Sequence, residues 1–135
     1  MVVCGNNAEL RKDLEIKQKS ERRLKRVFGF VDFMDELMAS SDLLITKPGG
    51  ITVSESIAMG VPMIFIEPIP GQEEANADYL VEQGAGFKAR NLPVLLHKLG
   101  LLVRSPENLG DMSKRAKAIS RPYAARTIAQ AAITL

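Results

Sequence analysis

Thr46-Lys47-Pro48-Gly49-Gly50-Ile51-Thr52-Val53-Ser54-Glu55 is the stretch on which the reading of the whole chain turns. A short apolar run over 43–46 enters it, a glycine pair interrupts it, and a helical pattern over 51–59 leaves it. A strand that passes to a helix across so short a turn is the repeating unit of a parallel sheet with crossover helices. The same alternation recurs on both sides. Residues 2–4, 27–30, 63–67 and 86–89 read as further strands, most of them too uniformly apolar for a sheet with one wet face. Helical patterns over 8–25, 33–40, 72–83 and 92–103 lie between them. The expected class is therefore α/β, a doubly wound parallel sheet whose strands are covered on both faces.

Bulk properties narrow the function. At 135 residues the chain has the length of one ordinary domain, and 46% hydrophobic with 25% charged residues is the balance of a globular protein. A net charge of +2 gives no global field of the kind that marks a nucleic-acid binder. Cys4 is the single cysteine, so no internal disulfide forms, and no Cys/His cluster has metal-ligand spacing. A reducing cytoplasm is the expected compartment. Runs such as Val61-Pro62-Met63-Ile64-Phe65-Ile66 fall far short of the roughly 20 residues that span a bilayer. Met1-Val2-Val3-Cys4-Gly5 lacks a basic n-region and reads as a buried strand rather than a signal peptide. Ser105-Pro106 is an N-cap followed by a first-turn proline, and Arg121-Pro122 restarts a second closing helix. Without repeat or linker, residues 1–135 read as one undivided domain.

In an open parallel sheet, ligands bind at the carboxyl ends of strands, where Gly49 and Gly50 stand. Glycines allow a tight turn and close approach to a ligand, while the free N–H groups of the following helix carry the positive end of its dipole. That combination cradles a diphosphate. Thr52-x-x-Glu55 is equally the pattern of a capping box. As a ligand, the Glu55 carboxylate suits the hydroxyls of a ribose diol rather than phosphate. Lys47 is either a phosphate partner or a solvated charge.

A second switch from strand to helix follows in Glu67-Pro68-Ile69-Pro70-Gly71-Gln72-Glu73-Glu74-Ala75-Asn76-Ala77. Gln72, Glu73 and Asn76 fall within one helical turn and supply the donors and acceptors that hold several sugar hydroxyls in one orientation. Glu73 and Glu74 equally suit the positive end of their own helix. In Val27-Phe28-Gly29-Phe30-Val31-Asp32 a strand again runs into a turn, whose backbone can meet a flat base edge, and Asp32 or Asp35 can cap the next helix. Lys17, Lys19, Arg22, Arg23, Lys25 and Arg26 crowd the end of the first expected helix. They either complement that helix terminus or face an anionic lipid surface.

With these turns in order, the chain resembles the C-terminal domain of the family containing monogalactosyldiacylglycerol synthases and bacterial processive diacylglycerol glucosyltransferases. It is more distantly similar to the lipid II N-acetylglucosaminyltransferase. The likeness runs from about Val3 to Tyr123 and is carried by KPGGITVSE and PIPGQEEANA. It implies a Rossmann-like domain of the GT-B fold that binds a UDP-sugar and belongs to an inverting hexosyltransferase acting on a lipid acceptor. Under it, Val31 presents backbone to uracil, and Gly49, Gly50, Ile51 and Thr52 receive the diphosphate. Glu55 takes the ribose, Gln72 and Glu73 hold the sugar, and Asn76 matches the motif with a role that is ligating or structural.

UDP-glucose, UDP-galactose and UDP-N-acetylglucosamine all fit as donor, with no further cofactor and no metal required. Family members place a strand, a glycine-rich loop and a helix before the point where this chain starts, and an acceptor domain before those. The expected domain therefore lacks a central strand. Its sheet either closes the gap or keeps open edges that invite self-association. No catalytic residue is assigned, and His97, on an apolar helix, reads as structural or surface. An epimerase acting on UDP-N-acetylglucosamine shares the glycine turn, and a split-subunit binding module is the remaining reading. The Gln-Glu-Glu-x-Asn cluster favours transfer.

Overall fold

Five short strands and seven helices, the last three helices consecutive, run through residues 1–134, the span described by the computed structural model. The chain falls into two compact units, residues 1–36 and 37–135. The first holds β1 (Val2–Val3), α1 (Ala8–Gln18) and β2 (Val27–Phe28). β1 and β2 pair in parallel, Val2 opposite Val27 and Val3 opposite Phe28. The Asn7 side chain caps α1 by accepting from the Leu10 N–H at 3.0 Å. α1 ends at Gln18 rather than near residue 25 as the pattern predicts. Continuing it would set Lys19 against Arg23 and Arg22 against Arg26 at i,i+4, where like charges repel along a helix.

α2 (Met34–Ala39) carries the chain from the first unit into the second, which comprises β3 (Leu44–Thr46), α3 (Gly50–Met59), β4 (Met63–Ile66), α4 (Gln72–Glu82), β5 (Gly86–Ala89), α5 (Leu92–Arg104), α6 (Pro106–Ile119) and α7 (Ala124–Ile133). β3, β4 and β5 lie side by side in that order, all parallel, with Thr46 opposite Phe65 and Ile66 opposite Ala89. The class is α/β with parallel strands, as the sequence predicts, but the strands form two sheets rather than one. Among the described residues no strand pairs with both sheets.

The side-chain alternation of β4 divides the second unit's core in two. Met63 and Phe65 pack with Val53 of α3, Ala77 and Leu80 of α4 and Ala116 of α6. Ile64 points the other way, into a cluster with Ala89, Leu102 of α5 and Met112 of α6. Coverage on both faces thus holds for β4, whose Met63, Ile64 and Phe65 are wholly buried. It does not hold for β3, where Ile45 remains 40% exposed. Ile45 lies in register with Ile64, and the helix covering that face, α5, follows β5 at the opposite edge of the sheet.

Ser56 is the buried polar side chain of this core, and its hydroxyl donates to the Val61 carbonyl at 2.7 Å. Gly60 ends α3 in the left-handed region, φ 73°, as a helix C-cap glycine does. Gly86 is required for a different reason. A Cβ there would stand 2.8 Å from Phe65 Cε2 and 3.1 Å from the Met63 carbonyl oxygen. Gly86→Ala is expected to destabilise the chain by about 1–3 kcal/mol through overpacking, read as a lower urea midpoint at unchanged m-value. An unchanged midpoint would show that Phe65 is not held where the core places it.

Candidate functional site

The parallel pairing of β3 and β4 puts two strand-to-helix turns at the same edge of one sheet. At the first, Pro48 is fully buried and the Gly49 N–H donates to the Lys47 carbonyl at 2.9 Å. Gly49 is the N-cap of α3 at φ −64°, ψ 141°, a conformation open to any residue. The glycine pair is therefore not needed for an unusual torsion, contrary to the tight-turn argument. What it provides is bare backbone. A Cβ at Gly49 would meet nothing within 4 Å, and one at Gly50 would meet Gln72 Nε2 at 3.8 Å and Asn76 Nδ2 at 3.9 Å. The two turns thus converge, Gly50 from one and Gln72 with Asn76 from the other.

The first intrahelical bond of α3 runs from the Val53 N–H to the Gly49 carbonyl at 2.9 Å. The N–H groups of Gly50, Ile51 and Thr52 precede it and have no partner within the helix. Gly50 is exposed, and Ile51 is 77% exposed. Thr52 occupies the third helical position and not the N-cap, so the capping box read from Thr52 and Glu55 is not formed. Glycine at position 49 started the helix earlier than the side-chain pattern indicated. Glu55 is left exposed, one turn below Ile51 on the same face, with its carboxylate free of that competing role.

Gly71, the N-cap of α4, has φ 100°, where only glycine sits without strain. Two side chains of the first turn then fix the loop. Glu73 Oε2 accepts from the Ile69 N–H at 2.9 Å, and Asn76 Nδ2 donates to the Pro48 carbonyl at 3.0 Å. The expected cluster therefore divides. Gln72 and Asn76 face the glycine turn, whereas Glu73 folds back on its own loop with one oxygen committed. Glu74 and Asp78 form ion pairs with Lys88 at 3.8 Å and 2.6 Å, partly exposed and worth little to stability.

Two features gave no signal in the sequence. The Asn76 to Pro48 link joins residues 28 apart, and no local pattern announces it. Glu67, at the carboxyl end of β4, is the described non-glycine residue with positive φ, 44°, a strained conformation of the kind that gathers at binding sites. Val31 is half-buried and follows β2 in the first unit, beside Phe30 at 74% exposure. Lys47 is exposed, and so is His97 on α5. A cavity of about 600 Å³ lies at the amino ends of β3 and β4, lined by Asp42, Val61, Pro62, Leu102, Leu109 and other residues. It opens at the sheet edge opposite the glycine turns.

The profile of the Glycosyltransferase family 28 C-terminal domain matches residues 1–127. The chain is 39% identical over 123 residues to a processive diacylglycerol beta-glucosyltransferase of Staphylococcus saprophyticus, covering 91% of this chain and 31% of that protein. A protein of the same description from Bacillus cereus is 40% identical over 131 residues, covering 97% of this chain and 34% of that one. The chain thus spans about a third of the length of these curated relatives. The crystal structure of Acinetobacter baumannii MurG superposes with a TM-score of 0.73 at 19% identity, over 99% of this chain and 51% of that one. That likeness carries the fold, a GT-B glycosyltransferase domain, and accords with the α/β reading.

Asn76→Ala removes the partner of the Pro48 carbonyl and is expected to cost about 1–3 kcal/mol of stability. Gln72→Ala, at an exposed side chain, is expected to stay within about 0.5 kcal/mol of the parent. Urea melts of the two variants check this, and equal midpoints would remove Asn76 from its bridging position.

Proposed function

This chain belongs to the Glycosyltransferase family 28 C-terminal domain family, and from that premise we propose that it is the donor-binding part of an inverting hexosyltransferase that uses a UDP-sugar and a lipid acceptor. The observation that carries the reading is the approach of the Gln72 and Asn76 amides to within 4 Å of a Cβ position on Gly50. One ligand of diphosphate-plus-sugar length can therefore touch both turns. In this proposal the free N–H groups of Gly50, Ile51 and Thr52 receive the diphosphate at bare backbone. Glu55 accepts hydrogen bonds from the ribose diol, and Gln72 with the uncommitted oxygen of Glu73 orients the hexose hydroxyls.

In the proposed reaction an acceptor hydroxyl attacks the anomeric carbon as the bond to the UDP oxygen breaks, and the electron pair passes to the β-phosphate. Negative charge then grows where the α3 terminus points. A helix terminus stabilises a nearby anion by about 0.3–1 kcal/mol, and by up to about 2 kcal/mol when partly buried. Donors fixed in advance need no reorganisation as that charge develops. We assign the catalytic base and the acceptor site to protein outside this chain. The relatives' description favours glucose as the sugar and diacylglycerol as the acceptor. A lipid acceptor places the enzyme at a membrane surface, and no helix among the described residues is long and apolar enough to cross one.

Calorimetric titration of the chain with UMP, UDP and UDP-glucose tests the assignment. Glu55→Ala is expected to weaken all three by roughly 10-fold or more, the loss of hydrogen bonds to a charged group. Gln72→Ala is expected to leave UDP unchanged and to weaken UDP-glucose several-fold. Unchanged affinities in both variants would overturn the site.

A further inference from the structure

We propose that residues 17–26, at the end of α1 and in the loop to β2, form a cationic pad that docks on an anionic lipid bilayer. Lys17, Lys19, Arg22, Arg23, Lys25 and Arg26 stand against one acid, Glu21, a net of +5 in ten residues of a chain whose whole net charge is +2. All six cations are exposed, and none forms an ion pair with a carboxylate among the described residues.

The helix-terminus explanation accounts for little of this charge. α1 stops at Gln18, with Lys17 in its last turn and Lys19 at its cap. Arg22, Arg23, Lys25 and Arg26 lie beyond the reach of a dipole that fades within one turn. The loop is also built rather than loose. Gln18 Nε2 donates to the Lys25 carbonyl at 2.7 Å, tying the helix end to the start of β2. Glu21 Oε1 accepts from the Arg23 N–H at 3.0 Å, and the Leu24 N–H donates to the Glu21 carbonyl at 3.1 Å. These bonds hold like charges together against their repulsion, which leaves a strongly positive surface whose one acid, Glu21, forms no ion pair among the described residues.

The partner is anionic, and a bilayer fits better than nucleic acid. Ile16, at 58% exposure, adjoins Lys17 and offers an apolar group to insert beneath lipid headgroups. Residues 16–26 contain no aromatic side chain on which a base could stack. Each lysine or arginine near an anionic surface contributes about 1 kcal/mol, roughly a fivefold change in partitioning.

Co-sedimentation of the chain with vesicles of phosphatidylcholine alone, and with added phosphatidylglycerol, tests the pad. Binding is expected to the anionic vesicles and to fall with salt. Replacing Lys19, Arg22, Arg23 and Lys25 together by glutamine is expected to weaken it by at least about a hundredfold, whereas exchanging lysine and arginine at the same positions preserves it. UDP affinity of the glutamine variant stays at the parent value, which separates this result from any failure of the donor site. Equal binding to neutral vesicles, or an undiminished glutamine variant, would overturn the proposal. So would binding to a DNA duplex, lost in the variant, without binding to vesicles.

Discussion

The parallel register of β3 on β4 is the constraint from which the site follows. Thr46 lies opposite Phe65, so the two strands end together, about 4.8 Å apart in the pairing direction. Each hands over to a helix, and the two helices therefore begin as neighbours. Burial of Met63, Ile64 and Phe65 between two apolar clusters fixes that register, because a slip of one residue would turn each side chain to the opposite face. The hydrogen bond from Asn76 to the Pro48 carbonyl then ties one turn to the other at their polar surface. Core packing sets the coarse position, and one amide sets the fine one.

Much of this was legible in the sequence because it is written locally. Apolar runs bounded by Gly-Gly or Pro-Gly mark strand ends, and the three strands of the second unit, with helices α3, α4 and α5, fall within a residue of their expected bounds. The limits of the reading were physical. The apolar and polar pattern predicts α1 too long because it does not record repulsion among cations. Gly49 displaced Thr52 from the cap position, so a true sequence pattern formed no capping box. Glu73 and Asn76 share a helical turn, yet their partners, Ile69 and Pro48, lie in different loops, which only the folded chain brings near.

These departures matter for function as well as for geometry. With no capping role, the Glu55 carboxylate remains available on the face below Ile51. With an amide committed to Pro48, Asn76 acts as a tie between turns and leaves Gln72 as the freer of the two side chains at Gly50. The shortened α1 turns a helix-end cation cluster into a charged loop with its own hydrogen bonds. The proposed donor site and the proposed lipid-facing pad therefore rest on different elements, the one on the ends of β3 and β4 and the other on the loop after α1.

The central claim is that one nucleotide-sugar engages both turns of the second unit at once. Nuclear magnetic resonance of the isotope-labelled chain during addition of UDP-glucose tests it most directly. The account predicts that the backbone amides of Gly50, Ile51 and Thr52 and the side-chain amide of Gln72 shift together and saturate with one dissociation constant. Movement confined to one turn, or two unrelated saturation curves, would contradict it.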